Sequence, residues 1–192
     1  MTDTRAATRA DTRVLLLPGW LNSDAAHWQS RWETLHGHRR VEQDDWLWPR
    51  RGDWMARLDE VLLADPGPAV LVAHSLGCLL VAAWAAHSQH VARVHAALLV
   101  APPDTERDDM PPNLFNWKPI ERQRLPFHSK MVSSENDPFC APERAAGLAT
   151  DWGCTHTVIG ARGHINAESG LGDWPEGHAL LLRLASGSPG AD

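Results

Sequence analysis

The deficits of this 192-residue chain narrow its chemistry before any motif is read. It has no excess of basic residues: 18 Lys and Arg stand against 24 Asp and Glu, a formal net charge of −6. A nucleic-acid partner needs a positive face for its phosphates. The balance argues against one, and Arg39-Arg40 and Arg50-Arg51 are too short to reverse it. Cysteine is scarce. Cys78, Cys140 and Cys154 are odd in number and share no short spacing, which points to buried or free thiols rather than a disulfide framework or a zinc set. Long apolar runs are missing as well: Leu76 to Ala86 is about half of the roughly 20 residues that cross a bilayer. Met1 to Arg13 is polar and lacks the apolar segment of a secretory signal, so a cytoplasmic location is expected. Glycine-rich phosphate loops of the G-x-G-x-x-G or P-loop kind do not occur. Tyrosine is absent beside ten tryptophans, and nothing in the sequence accounts for that.

The remainder is ordinary globular material, 43% hydrophobic and 22% charged. A chain of this length buries about 70% of its unfolded surface, enough for a core without disulfides or metal. Residues 1–11 and 187–192 read as tails, and 12–186 as one domain. Short apolar runs predict strands at Val14–Leu17, Ala69–Ala73 and Val94–Val100. Further strands are expected at Lys130–Ser133 and Thr155–Ile159, and a weak one near Arg40–Glu42. Between them fall helical patterns. The first runs from a cap at Ser23 or Asp24 to His36, the next over Asp53–Ala64 and Leu76–His87, and the last over Pro142–Asp151 and Glu176–Ala185. This alternation predicts an α/β fold with a mainly parallel sheet and right-handed crossovers.

Ser75 lies where an apolar strand turns abruptly into an apolar helix, in Ala73-His74-Ser75-Leu76-Gly77. A nucleophile there projects from the C-terminal edge of the sheet, beside the free N–H groups of a helix start. The pattern departs from G-x-S-x-G at Ala73, the smallest residue that carries a Cβ. A serine hydroxyl needs an adjacent base. His164 follows the last strand in a loop at the same edge, whereas His156 and His178 sit within a strand and a helix. The acid expected between them in chain order is Asp137, after the fifth strand. Glu135 is its nearest competitor, Asp104 and Asp109 are weaker ones, and Asp151 ends a helix. The expected oxyanion donors are the backbone N–H groups of Leu76 and Trp20, with Leu21 as the alternative to Trp20. His36-Gly37-His38 has no further ligand at recognisable spacing and reads as an exposed helix end rather than a metal site.

The chain resembles the small serine hydrolases of the YdeN and retinoblastoma-binding protein 9-like family, within the α/β-hydrolase superfamily. The resemblance runs from about Arg13 to Leu184. It is most specific in His27-Trp28-Gln29-Ser30-Arg31-Trp32-Glu33, Ala73-His74-Ser75-Leu76-Gly77, Ser134-Glu135-Asn136-Asp137-Pro138, and the segment from Gly163-His164-Ile165-Asn166 to Asp173-Trp174-Pro175-Glu176-Gly177. It implies a trimmed α/β-hydrolase fold of six parallel strands, helices on both faces, and a Ser75–His164–Asp137 triad. The L-x-C-x-E motif tied to the animal member's pocket-protein contact does not occur, so that function is not carried over.

The expected activity is cleavage of a small-molecule carboxylic ester, or an amide, through an acyl-enzyme. No cofactor or metal is expected, and no nucleic-acid partner. The alternative is a catalytically silent binding protein on the same fold. Residues 102–126 hold six prolines with Met110, Leu114, Phe115, Trp117 and Ile120 between them. They are expected to wall or cap the acyl pocket, with Phe115 or Trp117 against the substrate.

Overall fold

The computed structural model describes residues 12–187. The tail expected at 1–11, and all but Gly187 of that expected at 187–192, lie outside the described residues. Six strands form one sheet: β1 (Arg13–Leu17), β2 (Arg39–Arg40), β3 (Ala69–His74), β4 (Val94–Val100), β5 (His128–Ser133) and β6 (Thr155–Val158). Their order is β2-β1-β3-β4-β5-β6, and every pairing is parallel. Among the described residues, four helices lie between strands, α1 (Trp28–His36), α2 (Arg51–Leu63), α3 (Leu76–His87) and α4 (Pro142–Trp152), and α5 (Pro175–Ser186) follows β6.

The central strands read as continuous apolar runs because both of their faces are covered. All six residues of β3 are buried. Leu15, Leu17, Leu71, Ala97 and Leu99 face a layer that includes Trp54, Trp84, Leu148 and Trp152 of α2, α3 and α4. Leu16, Val70, Val72, Leu98 and Val132 face Trp28 and Trp32 of α1 and Leu181 and Leu184 of α5. Burial of each such Leu contributes about 1.5–3 kcal/mol, which is why these two layers dominate the fold. Among the described residues, no helix is long and apolar enough to cross a membrane.

One boundary departs by a full turn from the expectation. α1 begins at Trp28 with His27 as its cap, not at Ser23 or Asp24. Leu21 and Asn22 have left-handed backbones, and the Asp24 carboxylate closes a separate turn by accepting from the N–H groups of Ala26 and His27. That turn satisfies the amides a longer helix would have used. The winding direction of the sheet reverses between β1 and β3. An open parallel sheet has a crevice at such a reversal, beyond the C-terminal ends of its strands. The β1–α1 loop and the β3–α3 junction both open into it.

Candidate active site

At the end of β3 the chain turns into α3 through Ser75, whose φ of 54° and ψ of −123° lie in a region L-residues avoid. The turn is held by the Ser75 N–H, which donates to the Val100 carbonyl at 2.9 Å. Gly77 makes it possible. A Cβ at that position would stand 2.9 Å from the Pro18 carbonyl oxygen and closer still to that of Leu17. Gly19 faces the serine in the same way: a Cβ there would come within 2.7 Å of the Ser75 Cβ. Ala73 is fully buried in β3 beside Leu17 and Leu99.

Three of the expected side chains meet. The Ser75 hydroxyl lies 2.7 Å from His164 Nε2. The opposite ring nitrogen, Nδ1, is 2.9 and 3.0 Å from the two carboxylate oxygens of Asp137. The side chains of His164 and Asp137 are 9% and 3% exposed, so their pairing is shielded from water. Asp137 also accepts from the Phe139 N–H at 2.9 Å, and the Phe139 ring meets the His164 ring edge-on at 4.6 Å. The competing acids are engaged elsewhere. Asp104 pairs with Arg144, Asp109 with Arg107 and Asp151 with Arg122, while Glu135 is exposed. His156 bonds Ser133, and His178 stacks on His36 and lies 3.1 Å from His38, both away from Ser75. His36 is exposed at the end of α1, as expected, and its ring stacks on the partly buried His178, which also meets His38. Among the described residues, no group of three or more His, Cys, Asp or Glu is arranged to hold a metal ion.

Trp20 and Leu76 both line a cavity of about 310 Å³ beside Ser75. Neither of their N–H groups makes a backbone hydrogen bond among the described residues, whereas the Leu21 N–H is already bonded to the Trp46 carbonyl at 3.2 Å. The segment 102–126 supplies Pro103, Met110, Pro111 and Leu114 to the cavity wall. The two residues expected against the substrate are not among them. Phe115 is 66% exposed, and Trp117 is buried in the core with its indole N–H on the Pro49 carbonyl. The short 3-10 turn Pro112–Trp117 brings Leu114 and Trp117 to one face and turns Phe115 to the other.

Several residues that hold this arrangement were not singled out by sequence. His74 Nε2–H donates to the His164 carbonyl at 2.9 Å, and Trp28 Nε1–H to the Ile165 carbonyl at 2.8 Å. Gln29, fully buried, donates to the carbonyls of Leu17 and Val72 and so ties the ends of β1 and β3 together. Ser134 accepts from the Arg162 N–H and Asn136 from the Gly163 N–H, which joins the Asp137 loop to the His164 loop. The alternation Ser134-x-Asn136 beside the acid was the available signal. The partners, about 27 residues away, were not visible. Burial lowers the pKa of His74 well below its ordinary value, reinforced by the neighbouring His27 and His164 and opposed by the hydrogen bond to the His164 backbone. Burial, with Asp137 and Asp104 nearby, pushes the Cys140 thiol up to about 12, so Cys140 stays protonated near pH 7.

The serine hydrolase family matches residues 14–183. Among solved structures, a hydrolase described as YdeN-like from Pectobacterium atrosepticum is 29% identical, with a TM-score of 0.81 over 91% of each chain. The ydeN gene product of Bacillus subtilis is 19% identical, with a TM-score of 0.69 over 91% of this chain and 99% of that one. A monoacylglycerol lipase of Paleococcus ferrophilus shares the fold at 13% identity, with a TM-score of 0.66 over 92% of this chain and 96% of its own. No curated protein matches the chain.

Proposed function

The chain belongs to the serine hydrolase family, and from that premise we propose that it cleaves a small-molecule carboxylic ester through an acyl-enzyme on Ser75. The observation that carries this reading is the hydrogen-bonded line from Ser75 Oγ through His164 to Asp137. Ser75 Oγ attacks the ester carbonyl carbon while its proton passes to His164 Nε2. The carbonyl oxygen becomes an oxyanion that accepts from the N–H groups of Leu76 and Trp20. When the intermediate collapses, the C–O bond to the alcohol breaks and His164 returns the proton to the leaving oxygen. Water then attacks the acyl carbon and gives its proton to His164; as the bond to Ser75 Oγ breaks, His164 returns that proton to Oγ, and the acid is released. Asp137 holds the imidazole with Nδ1 protonated and stabilises the imidazolium that forms. The left-handed Ser75 backbone supports this role, because strain of that kind persists where the fold over-determines it.

The test is labelling with a fluorophosphonate, followed by hydrolysis of p-nitrophenyl esters of increasing chain length. Covalent modification confined to Ser75, lost in Ser75→Ala, supports the reading. A folded protein that resists the probe and turns over no ester would overturn it.

A further inference from the structure

Between His164 and α5 the chain runs through a 3-10 turn, Ala167–Ser169, and otherwise irregular backbone. Its two ends hang from indoles of α1. Trp28 donates to the Ile165 carbonyl at 2.8 Å, and Trp32, one turn further on, donates to the Asp173 carbonyl at 2.7 Å. The two rings meet edge-on with centroids 4.7 Å apart, and Trp174 stacks on Trp32 at 6.0 Å. Arg31 also pairs with the Asp173 carboxylate, but both side chains are exposed, so water screens that contact.

The buried Trp32 ring packs in turn against histidines. His38, just before β2, and His178, in the first turn of α5, meet it edge-on at 6.2 and 5.0 Å. The Nε2 atoms of these two histidines lie 3.1 Å apart, a hydrogen bond across 140 residues of sequence, and His36 stacks on His178 at 3.6 Å. Two ring nitrogens at that distance share one proton, so one donates and the other accepts. Burial, reinforced by His178 and His36, lowers His38 to about 4, and burial with His36 lowers His178. Both rings are therefore neutral near pH 7, where the bond between them forms. Of the charged side chains on the elements that meet here, Glu33 pairs with Arg40 and Asp173 with Arg31. Arg39, Glu176 and Arg183 make no hydrogen bond or ion pair with either ring among the described residues.

We propose that Trp32, His38 and His178 form a positioning clamp for His164: the His38–His178 bond fixes the Trp32 ring and the start of α5, and Trp32 fixes Asp173. The inference rests on the proposed ester cleavage at Ser75, in which His164 must stay within hydrogen-bond reach of Ser75 Oγ for the proton to pass. The link between the clamp and the base is the backbone of Ile165. Its φ of 49° is a conformation that a β-branched residue avoids, and such a conformation persists only where its surroundings over-determine it. Trp28 holds the segment at Ile165, and the clamp holds it at Asp173. With the far end loose, the segment relaxes toward ordinary dihedrals, and the neighbouring His164 turns away from Ser75.

Leucine and glutamine at positions 38 and 178 separate a positioning role from simple packing. Hydrolysis of p-nitrophenyl butyrate is measured at about pH 7.5, where the imidazoles are neutral, per active site counted by fluorophosphonate labelling. His38→Leu and His178→Leu are each expected to lower kcat about tenfold and to change KM less than about twofold, the scale of a small misplacement of a reacting group. His38→Gln and His178→Gln, whose amide reaches the Nε2 position and can donate or accept, should recover most of the loss. The double leucine variant should be no slower than either single one, because both remove the same bond. Trp32→Phe keeps a buried ring without the donor and should lose kcat to the same extent, so the clamp is tested even where a leucine variant does not fold. Unchanged kcat beside a lowered melting temperature, glutamine variants no better than leucine ones, or losses that multiply in the double variant would overturn this inference alone. Failure of wild-type Ser75 to label, with no ester turned over, would overturn the ester reading and this inference with it.

Discussion

His74, the residue immediately before Ser75, donates its Nε2–H to the backbone carbonyl of His164 at 2.9 Å. The elbow that presents the hydroxyl is therefore fastened to the loop that presents the imidazole, across 90 residues of sequence. Trp28 fastens the next carbonyl, that of Ile165, whose φ of 49° marks a backbone that does not hold its shape unaided. Removal of the His74 donor should loosen His164 rather than unfold the protein. His74→Leu is expected to lower kcat by about ten- to a hundredfold, with KM little changed, because small misplacements of a reacting group cost on that order. His74→Gln, whose amide N–H reaches a similar position, should recover most of the loss. Equal kcat in the Leu and Gln variants would mean that His74 acts only by filling space.

Ser75→Ala should reduce kcat by about a millionfold, the scale found when such a serine is removed from an unrelated protease, while the thermal melt stays close to wild type. Residual turnover near wild type in the folded variant would remove Ser75 from the chemistry.

Asp137→Asn should lower kcat by about ten-thousandfold, since an amide no longer favours the tautomer with Nδ1 protonated. Asp104→Asn tests the other acid. It breaks the pair with Arg144, so it is expected to lower the melting temperature and leave ester turnover in place. The reverse pattern would exchange the two assignments.

Leu114 and Phe115 are neighbours with opposite expectations. Leu114 is buried and lines the cavity, whereas Phe115 is exposed outside it. Leu114→Ala should shift the acyl-chain preference toward longer chains and cost about 2–5 kcal/mol of stability. Phe115→Ala should change neither. A chain-length shift in Phe115→Ala would show that the 102–126 segment rearranges around the substrate.

Stability should fall as the pH drops below about 6.5. His27 titrates at about 4 in the folded state, against an ordinary value near 6.5 when unfolded, and His74 is lowered by burial in the same direction. The unfolded chain therefore binds protons first, so stability present above pH 6.5 is lost as the pH falls toward 4. For His27 alone the loss at pH 5 is about 2 kcal/mol. Denaturant midpoints at about pH 7.5 and about pH 5 should show a decline in the wild type that is smaller in His27→Asn. An equal decline in both would assign it to other groups.

The strands and the serine were legible because their signals are local. Continuous apolar runs at Ala69–Ala73 and Val94–Val100 are too short for buried helices and read as strands covered on both faces, and Ser75 stands at the junction of the first with an apolar helix. Chain order and strand ends also singled out Asp137 and His164, because the C-terminal edge of a parallel sheet gathers the loops into which its strands run. The start of α1 was misplaced because Asp24 satisfies its neighbours' amides in a turn that, by composition, looks like a cap. Phe115 and Trp117 were interchangeable with Leu114 as apolar residues of one loop until the 3-10 turn fixed which way each one faces. The contributions of His74, Trp28, Gln29 and Asn136 rest on contacts reaching in places across more than a hundred residues of sequence, such as that from Trp28 to Ile165. Sequence alone determined the layered sheet and the chemical types gathered at its edge. Only the tertiary structure decided which donor met which acceptor, because hydrogen bonds require ångström-scale placement that residue type and spacing do not encode.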